Sequence, residues 1–221
     1  MNTKMNNALI LLSGGLDSYI ALDIAVKDYD VVMALNFDYG QKAFFEENEA
    51  SRKIADNYSV SLKSIKLNYL KELCDNALTN LKNTKFDNFE DVWIPNRNGL
   101  FINIAASVCD KYKINNIILG LNKEEAQKFS DNSVEFIEAI NKSLFYSTQI
   151  HPKVIAPCSK MNKIDIVNYA IDNNLDFGLI KSCYNSKDYI NKKHCLECMS
   201  CKLLYNAIKN SKRPELIEEI F

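Results

Sequence analysis

The chain has 221 residues, enough to bury a sizeable core in one main domain, and its 27 basic against 28 acidic side chains give a formal net charge of −1. So even a balance excludes the broad positive field that would wrap a free nucleic acid, and no direct nucleic-acid partner is expected. No apolar run reaches the length of a membrane span or signal segment, which predicts a cytoplasmic protein without membrane contact.

Near the N-terminus the apolar run Leu9-Ile10-Leu11-Leu12 stops at Ser13-Gly14-Gly15-Leu16-Asp17-Ser18. This reads as a buried strand emptying into a turn where adjacent glycines let backbone N–H groups converge and the next helix points its positive end at the same spot. A polyphosphate cradle and an ordinary strand-to-helix turn both fit those residues. The lysine-bearing GxxxxGK[ST] loop and the GxGxxG dinucleotide fingerprint are absent. SGGLDS also resembles the signature of the PP-loop ATP pyrophosphatases, which implies a cradle for the phosphates that ATP releases as pyrophosphate.

Helical spacing follows over residues 19–27, then the β-rich run 31–37 closed by Asp38-Tyr39-Gly40-Gln41, a Glu- and Ala-rich helix over 44–58, and a short strand over 62–67. Runs so apolar predict strands covered on both faces and joined by right-handed crossovers. Residues 68–95 lose periodicity and predict a lid or long connection with one or two short helices. Order returns in the polar turn before a helix over 100–112, a fourth strand over 116–121, a helix over 135–146 and a fifth strand over 153–156. The expected fold class is α/β, a doubly wound parallel five-stranded sheet, with the turns 13–18, 38–41 and the Gly120 loop sharing one rim. The main domain is expected over 1–180 and a small helical appendage over 181–221.

Seven cysteines are an odd count, and Cys183, Cys195, Cys198 and Cys201 crowd the tail, which fits metal binding better than a disulfide framework. Four thiolates can close a tetrahedral Zn²⁺ site with no open position for water, so the expected role is structural. An iron–sulfur cluster and a redox CxxC are the alternatives, and His194 could replace one cysteine. Cys74, Cys109 and Cys158 are expected to be buried or incidental.

Together SGGLDS, FDYGQ at 37–41, IPNRNGLF at 94–101 and SCY with CxxCxxC resemble, nearly end to end, the 7-cyano-7-deazaguanine synthases, the QueC family. The resemblance implies that ATP activates the carboxylate of 7-carboxy-7-deazaguanine, that ammonia gives the amide, and that a second ATP dehydrates it to the nitrile, with Mg²⁺ on the phosphates. It implies phosphate binding by Ser13, Gly14, Gly15, Leu16, Asp17 and Ser18, charge neutralisation by Lys163, and a nucleotide side lined by Tyr39 and Gln41. Asp17, Ser18, Lys163 and Arg97 are the expected catalytic residues. Arg97 falls on the family's RN pair and is expected at a phosphate or the substrate carboxylate. Tyr39 could equally be core packing, and Lys163 an ordinary exposed lysine.

The substrate loop departs from the family pattern: Glu125 replaces an aspartate, Phe129 a tyrosine, Ser130 a proline and Ser133 an arginine, while Ala43 follows YGQ where histidine is usual. Glu125 and Asp131 are expected to accept hydrogen bonds from the purine edge. A diverged ligase that passes the deazapurine acid to another amine, such as one on a protein, is the alternative, and a noncatalytic nucleotide-binding module is a third reading. A homodimer is a further expectation.

Overall fold

A computed structural model describes residues 6–67, 69–73, 76–80, 90–185 and 194–221. Its five strands form one sheet in the order β3-β2-β1-β4-β5, every neighbouring pair parallel. They are β1 (Asn7–Leu11), β2 (Asp30–Asp38), β3 (Ser61–Lys66), β4 (Asn116–Ile118) and β5 (Lys153–Ile155). The order reverses between β1 and β4, and that switch point opens a crevice beyond the carboxyl ends of the strands. The doubly wound sheet expected from the apolar runs is the observed one.

The helices are α1 (Leu16–Asp28), α2 (Phe44–Asn57), α3 (Tyr69–Leu73), α4 (Arg97–Tyr112), α5 (Lys123–Ala126), α6 (Val134–Ser147), α7 (Lys163–Asp172), α8 (Met199–Lys209) and α9 (Leu216–Ile220). Alternation along β1 sends Ala8, Ile10 and Leu12 into a core shared with α1, α7 and α8, and Leu9 into a second core under α4. The tail contributes to both: Leu204, Ala207, Ile208, Leu216 and Ile220 join the first, and Cys183, Cys195, Cys198 and Cys201 the second. Among the described residues no helix is long and apolar enough to cross a membrane.

Two boundaries differ from the sequence reading in ways that matter to the crevice. The helix expected from Leu100 begins at Arg97, because Asn96 takes a left-handed turn at φ 57° and lays its side chain over Gly99. The fourth strand stops at Ile118 although Leu119 N–H still donates to Ile155 O at 2.9 Å, because the chain must pass Ser18. Among the described residues of 68–95, α3 and a 3-10 turn over Glu90–Val92 are the short helices; Cys74 lies outside the described residues.

A Cβ on Gly120 would lie 2.5 Å from both Ser18 N and Ser18 Cα, so only glycine lets β4's exit touch the start of α1. Gly120→Ala is expected to lower stability by about 1–3 kcal/mol, as overpacking against backbone does. Urea unfolding reads this directly, and a midpoint unchanged from wild type would contradict the contact.

Candidate active site

The turn after β1 is built from its own side chains. Ser18 Oγ donates to Gly15 O at 3.0 Å, accepts from Ser13 N–H at 3.2 Å and lies 3.1 Å from Ser13 Oγ. Gly14 has φ 80°, and a Cβ there would lie 2.5 Å from Glu47 O, so the turn is pressed against the first part of α2. Lys181 N–H holds Gly14 O from the other side at 2.8 Å. Gly15 is the N-cap of α1 and supplies no side-chain cap, which leaves the first N–H groups of a 13-residue helix facing the crevice.

Asp17, in the first turn of α1, meets Lys163, the first residue of α7, with Nζ 2.6 Å from Oδ2; both side chains are largely buried. Asn122 Nδ2, from the segment after β4, donates to the same oxygen at 3.3 Å, while the buried Oδ1 has no hydrogen-bond partner among the described residues. An Asn162–Asp165 capping box fixes the start of α7, and Lys163 N–H donates to Glu124 Oε1 at 3.1 Å. Burial works to lower the Lys163 pKa, but Asp17 and Glu125 outweigh it, so the ammonium is held above its usual range. Glu125 is pushed up by burial and by Asp17, against the pull of Lys163.

Across the crevice, Arg97 Nη1 donates to Tyr39 Oη at 3.3 Å, and its guanidinium lies 5.6 Å from the Tyr39 ring centroid. Burial raises the Tyr39 phenol to about 12. Asp131 sits in a 3-10 turn over Ser130–Asn132, where Asn132 Nδ2 donates to its Oδ1 at 3.2 Å. Burial raises its carboxyl, opposed by Arg97. The cavity between these walls has a volume of about 290 Å³. It brings together Ser13, Gly15, Leu16, Asp17, Ser18, Tyr39, Gln41, Arg97, Glu125, Asp131 and Lys163; Gly14 stands behind the turn.

Gln41 is more committed to the fold than its expected nucleotide-side place implied. Its Oε1 accepts from Tyr39 N–H at 2.9 Å, and its Nε2 donates to Phe37 O at 2.9 Å and Glu47 Oε2 at 3.0 Å. Glu47 lines the cavity and was missed, because nothing separates it by sequence from its acidic neighbours Glu46 and Glu49. Trp93 and Phe129 also line it, with ring centroids 5.5 Å apart and planes within 6°.

The four tail cysteines are buried, and their sulfurs all lie within 4.8 Å of one another. Zn–S bonds of about 2.3 Å place tetrahedral sulfurs about 3.8 Å apart, close to the 3.9 Å between the Cys195 and Cys201 sulfurs. Backbone N–H groups of Glu197 and Cys198 point at Cys195 Sγ, at 3.4 and 3.2 Å, as suits a metal-bound thiolate. The donor set therefore fits a metal such as zinc. His194 does not join it: Nδ1 lies 3.2 Å from Ile220 O, and Nε2 accepts from Ser182 N–H at 3.4 Å. Cys109 and Cys158 are buried elsewhere, their thiols pushed up to about 12 chiefly by burial.

The profile of the family described as Queuosine biosynthesis protein QueC matches residues 7–212. A 7-cyano-7-deazaguanine synthase of Carboxydothermus hydrogenoformans is 40% identical over 215 residues, covering 92% of this chain and 98% of that protein. One from Methanosarcina barkeri is 36% identical over 221 residues, covering 92% and 94%. Among solved structures, a 4-thiouridine synthetase in complex with RNA and ATP superposes with a TM-score of 0.53 at 21% identity, over 97% of this chain and 49% of that one, a likeness of fold.

Burial raises the Glu47 carboxyl from 4.5 to about 7, against the pull of Gln41, Arg97 and Lys181. The folded chain thus holds a proton on Glu47 that the unfolded chain releases, so this group's contribution to stability falls as pH rises from about 4.5 to about 7. Glu47→Gln is expected to flatten that fall in urea unfolding across the window. An identical pH profile in the variant would contradict the assignment.

Proposed function

The chain belongs to the QueC family, ATP-dependent ligases that make 7-cyano-7-deazaguanine, and from that premise we propose how its crevice residues divide the chemistry. The observation that carries the division is the Lys163–Asp17 pair directly beneath the uncapped start of α1, within one cavity with Arg97 and Asp131.

Ser13, Gly15, Leu16 and Ser18 line the phosphate cradle, and Gly14 behind it shapes the turn, which a Cβ there would push off the Glu47 carbonyl. Asp17, whose buried Oδ1 has no hydrogen-bond partner among the described residues, would hold Mg²⁺. When bound, that cation would draw charge off the phosphates and make pyrophosphate a better leaving group. Lys163, kept cationic by Asp17 and Glu125, turns from the carboxylate toward the phosphoryl oxygens as negative charge gathers there.

Arg97, braced on Tyr39, takes the carboxylate of 7-carboxy-7-deazaguanine and aims one oxygen at the α-phosphorus of ATP. Glu125 and Asp131 accept from the ring N–H and exocyclic amine, Glu125 from the Asp17 side of the crevice and Asp131 from the Arg97 side. Ammonia then displaces AMP to give the amide, and a second adenylation, on the amide oxygen, precedes loss of AMP and formation of the nitrile. Tyr39 and Gln41 hold the wall beside the nucleotide rather than reading it.

The tail cysteines bind Zn²⁺ structurally. They join the crevice to the fold through Tyr184, Met199, Ser200 and Leu203, which line the cavity between or just beyond the ligands.

Asp17→Asn is expected to fold yet lose pyrophosphate release by about 10²-fold or more, the usual scale for removing one preorganised charge at a reacting centre. Wild-type release from that variant would overturn the assignment. Elemental analysis is expected to give about one zinc per chain, with chelation lowering the melting temperature; iron, or a stable metal-free chain, would contradict the structural zinc.

A further inference from the structure

Trp93 and Phe129 make an aromatic pair on the cavity wall, at the margin of the second core against which Phe129 packs. Their planes lie within 6° at 5.5 Å between centroids, and both rings are only partly buried and line the cavity. The stack between Phe37 and Phe101 also borders the cavity, but it closes to 4.1 Å with Phe37 buried inside the second core. An offset parallel pair on a cavity wall presents a flat apolar face, which is what a planar heteroaromatic ring needs.

Polar groups that line the same cavity lie close to both rings in the chain. Phe129 stands two residues before Asp131, in the segment Asn98 reaches with Nδ2 contacts of 3.3 Å to Asp131 O and 3.4 Å to Asn132 Oδ1. Trp93 stands four residues before Arg97. A carboxylate accepts only, so it suits the neighbouring N–H and NH₂ donors of a guanine-like edge; the adenine edge sets its amine beside an acceptor nitrogen. The phosphate turn is carried by other segments, β1 and α1.

We propose that Trp93 and Phe129 form the stacking platform on which the deazaguanine ring lies, its donor edge toward Asp131 and its carboxylate toward Arg97. The assignment rests on the function proposed above and adds to it the residues that select the acid rather than the nucleotide. Trp93 and Phe129 act in binding; neither touches the atoms that react.

The chain has one tryptophan, so its fluorescence reports this wall alone. Titrating the full chain with 7-carboxy-7-deazaguanine is expected to quench the emission saturably, after correction for ligand absorption, while ATP alone leaves it unchanged. Trp93→Ala is expected to raise KM for the acid about tenfold, the usual scale for one lost stacking contact, and to leave KM for ATP within twofold. Trp93→Phe should restore most of the loss, which guards against a merely unfolded alanine variant. Quenching by ATP but not by the acid would overturn the proposal, as would an emission that neither ligand changes. If wild type consumes the acid while Trp93 stays silent, the platform alone fails; if wild type does not consume the acid, the function fails first.

Discussion

The 2.6 Å ion pair between Lys163 and Asp17 is the contact on which the crevice depends, since it ties the first turn of α1 to the first residue of α7 across the switch point of the sheet. Burying two charges costs several kcal/mol that their attraction recovers only with good geometry and added hydrogen bonds, so such a pair is weak evidence for stability. Asn122 supplies one of those bonds, and the carboxylate's other oxygen has no partner among the described residues. An incompletely satisfied pair under an uncapped helix start is poised for an anionic ligand and its counterion, which is the reading that links the fold to the chemistry.

The rest of the architecture keeps that pair in place. Gly120 admits β4's exit against Ser18, and Gly14 lets the turn lie against the Glu47 carbonyl. Gln41 spends its whole amide on Tyr39, Phe37 and Glu47, so the wall beside Arg97 is rigid. The tail closes the cavity rather than hanging from it: its helices share the core of α1 and α7, and residues next to the cysteines line the cavity.

The sheet was legible because β1 and β2 are apolar runs bounded by turn residues, and the rim followed from strand order alone. The turn over 13–18 was legible from its glycines as a strand-to-helix turn, and its reading as a phosphate cradle came from the family resemblance, since those residues serve ordinary turns equally well. Lys163 could be placed from the family resemblance but not from its own neighbourhood, where one more lysine in a charged helix carries no signal. Glu47 and the Trp93–Phe129 pair were not legible for a related reason: their meaning lies in what faces them across the cavity, and residues 93 and 129 are joined only in three dimensions. His194 stayed open as an alternative to one of the four cysteines because proximity in sequence to CxxCxxC does not reveal that both ring nitrogens are taken.

If the substrate carboxylate attacks ATP in this crevice, both of its oxygens must leave on AMP. Turnover of 7-carboxy-7-deazaguanine labelled with ¹⁸O in both carboxylate oxygens, followed by mass spectrometry of every product, traces them. One labelled oxygen is expected in each of the two AMP molecules released per nitrile formed. Label in pyrophosphate, in inorganic phosphate or in water, with AMP unlabelled, would contradict it.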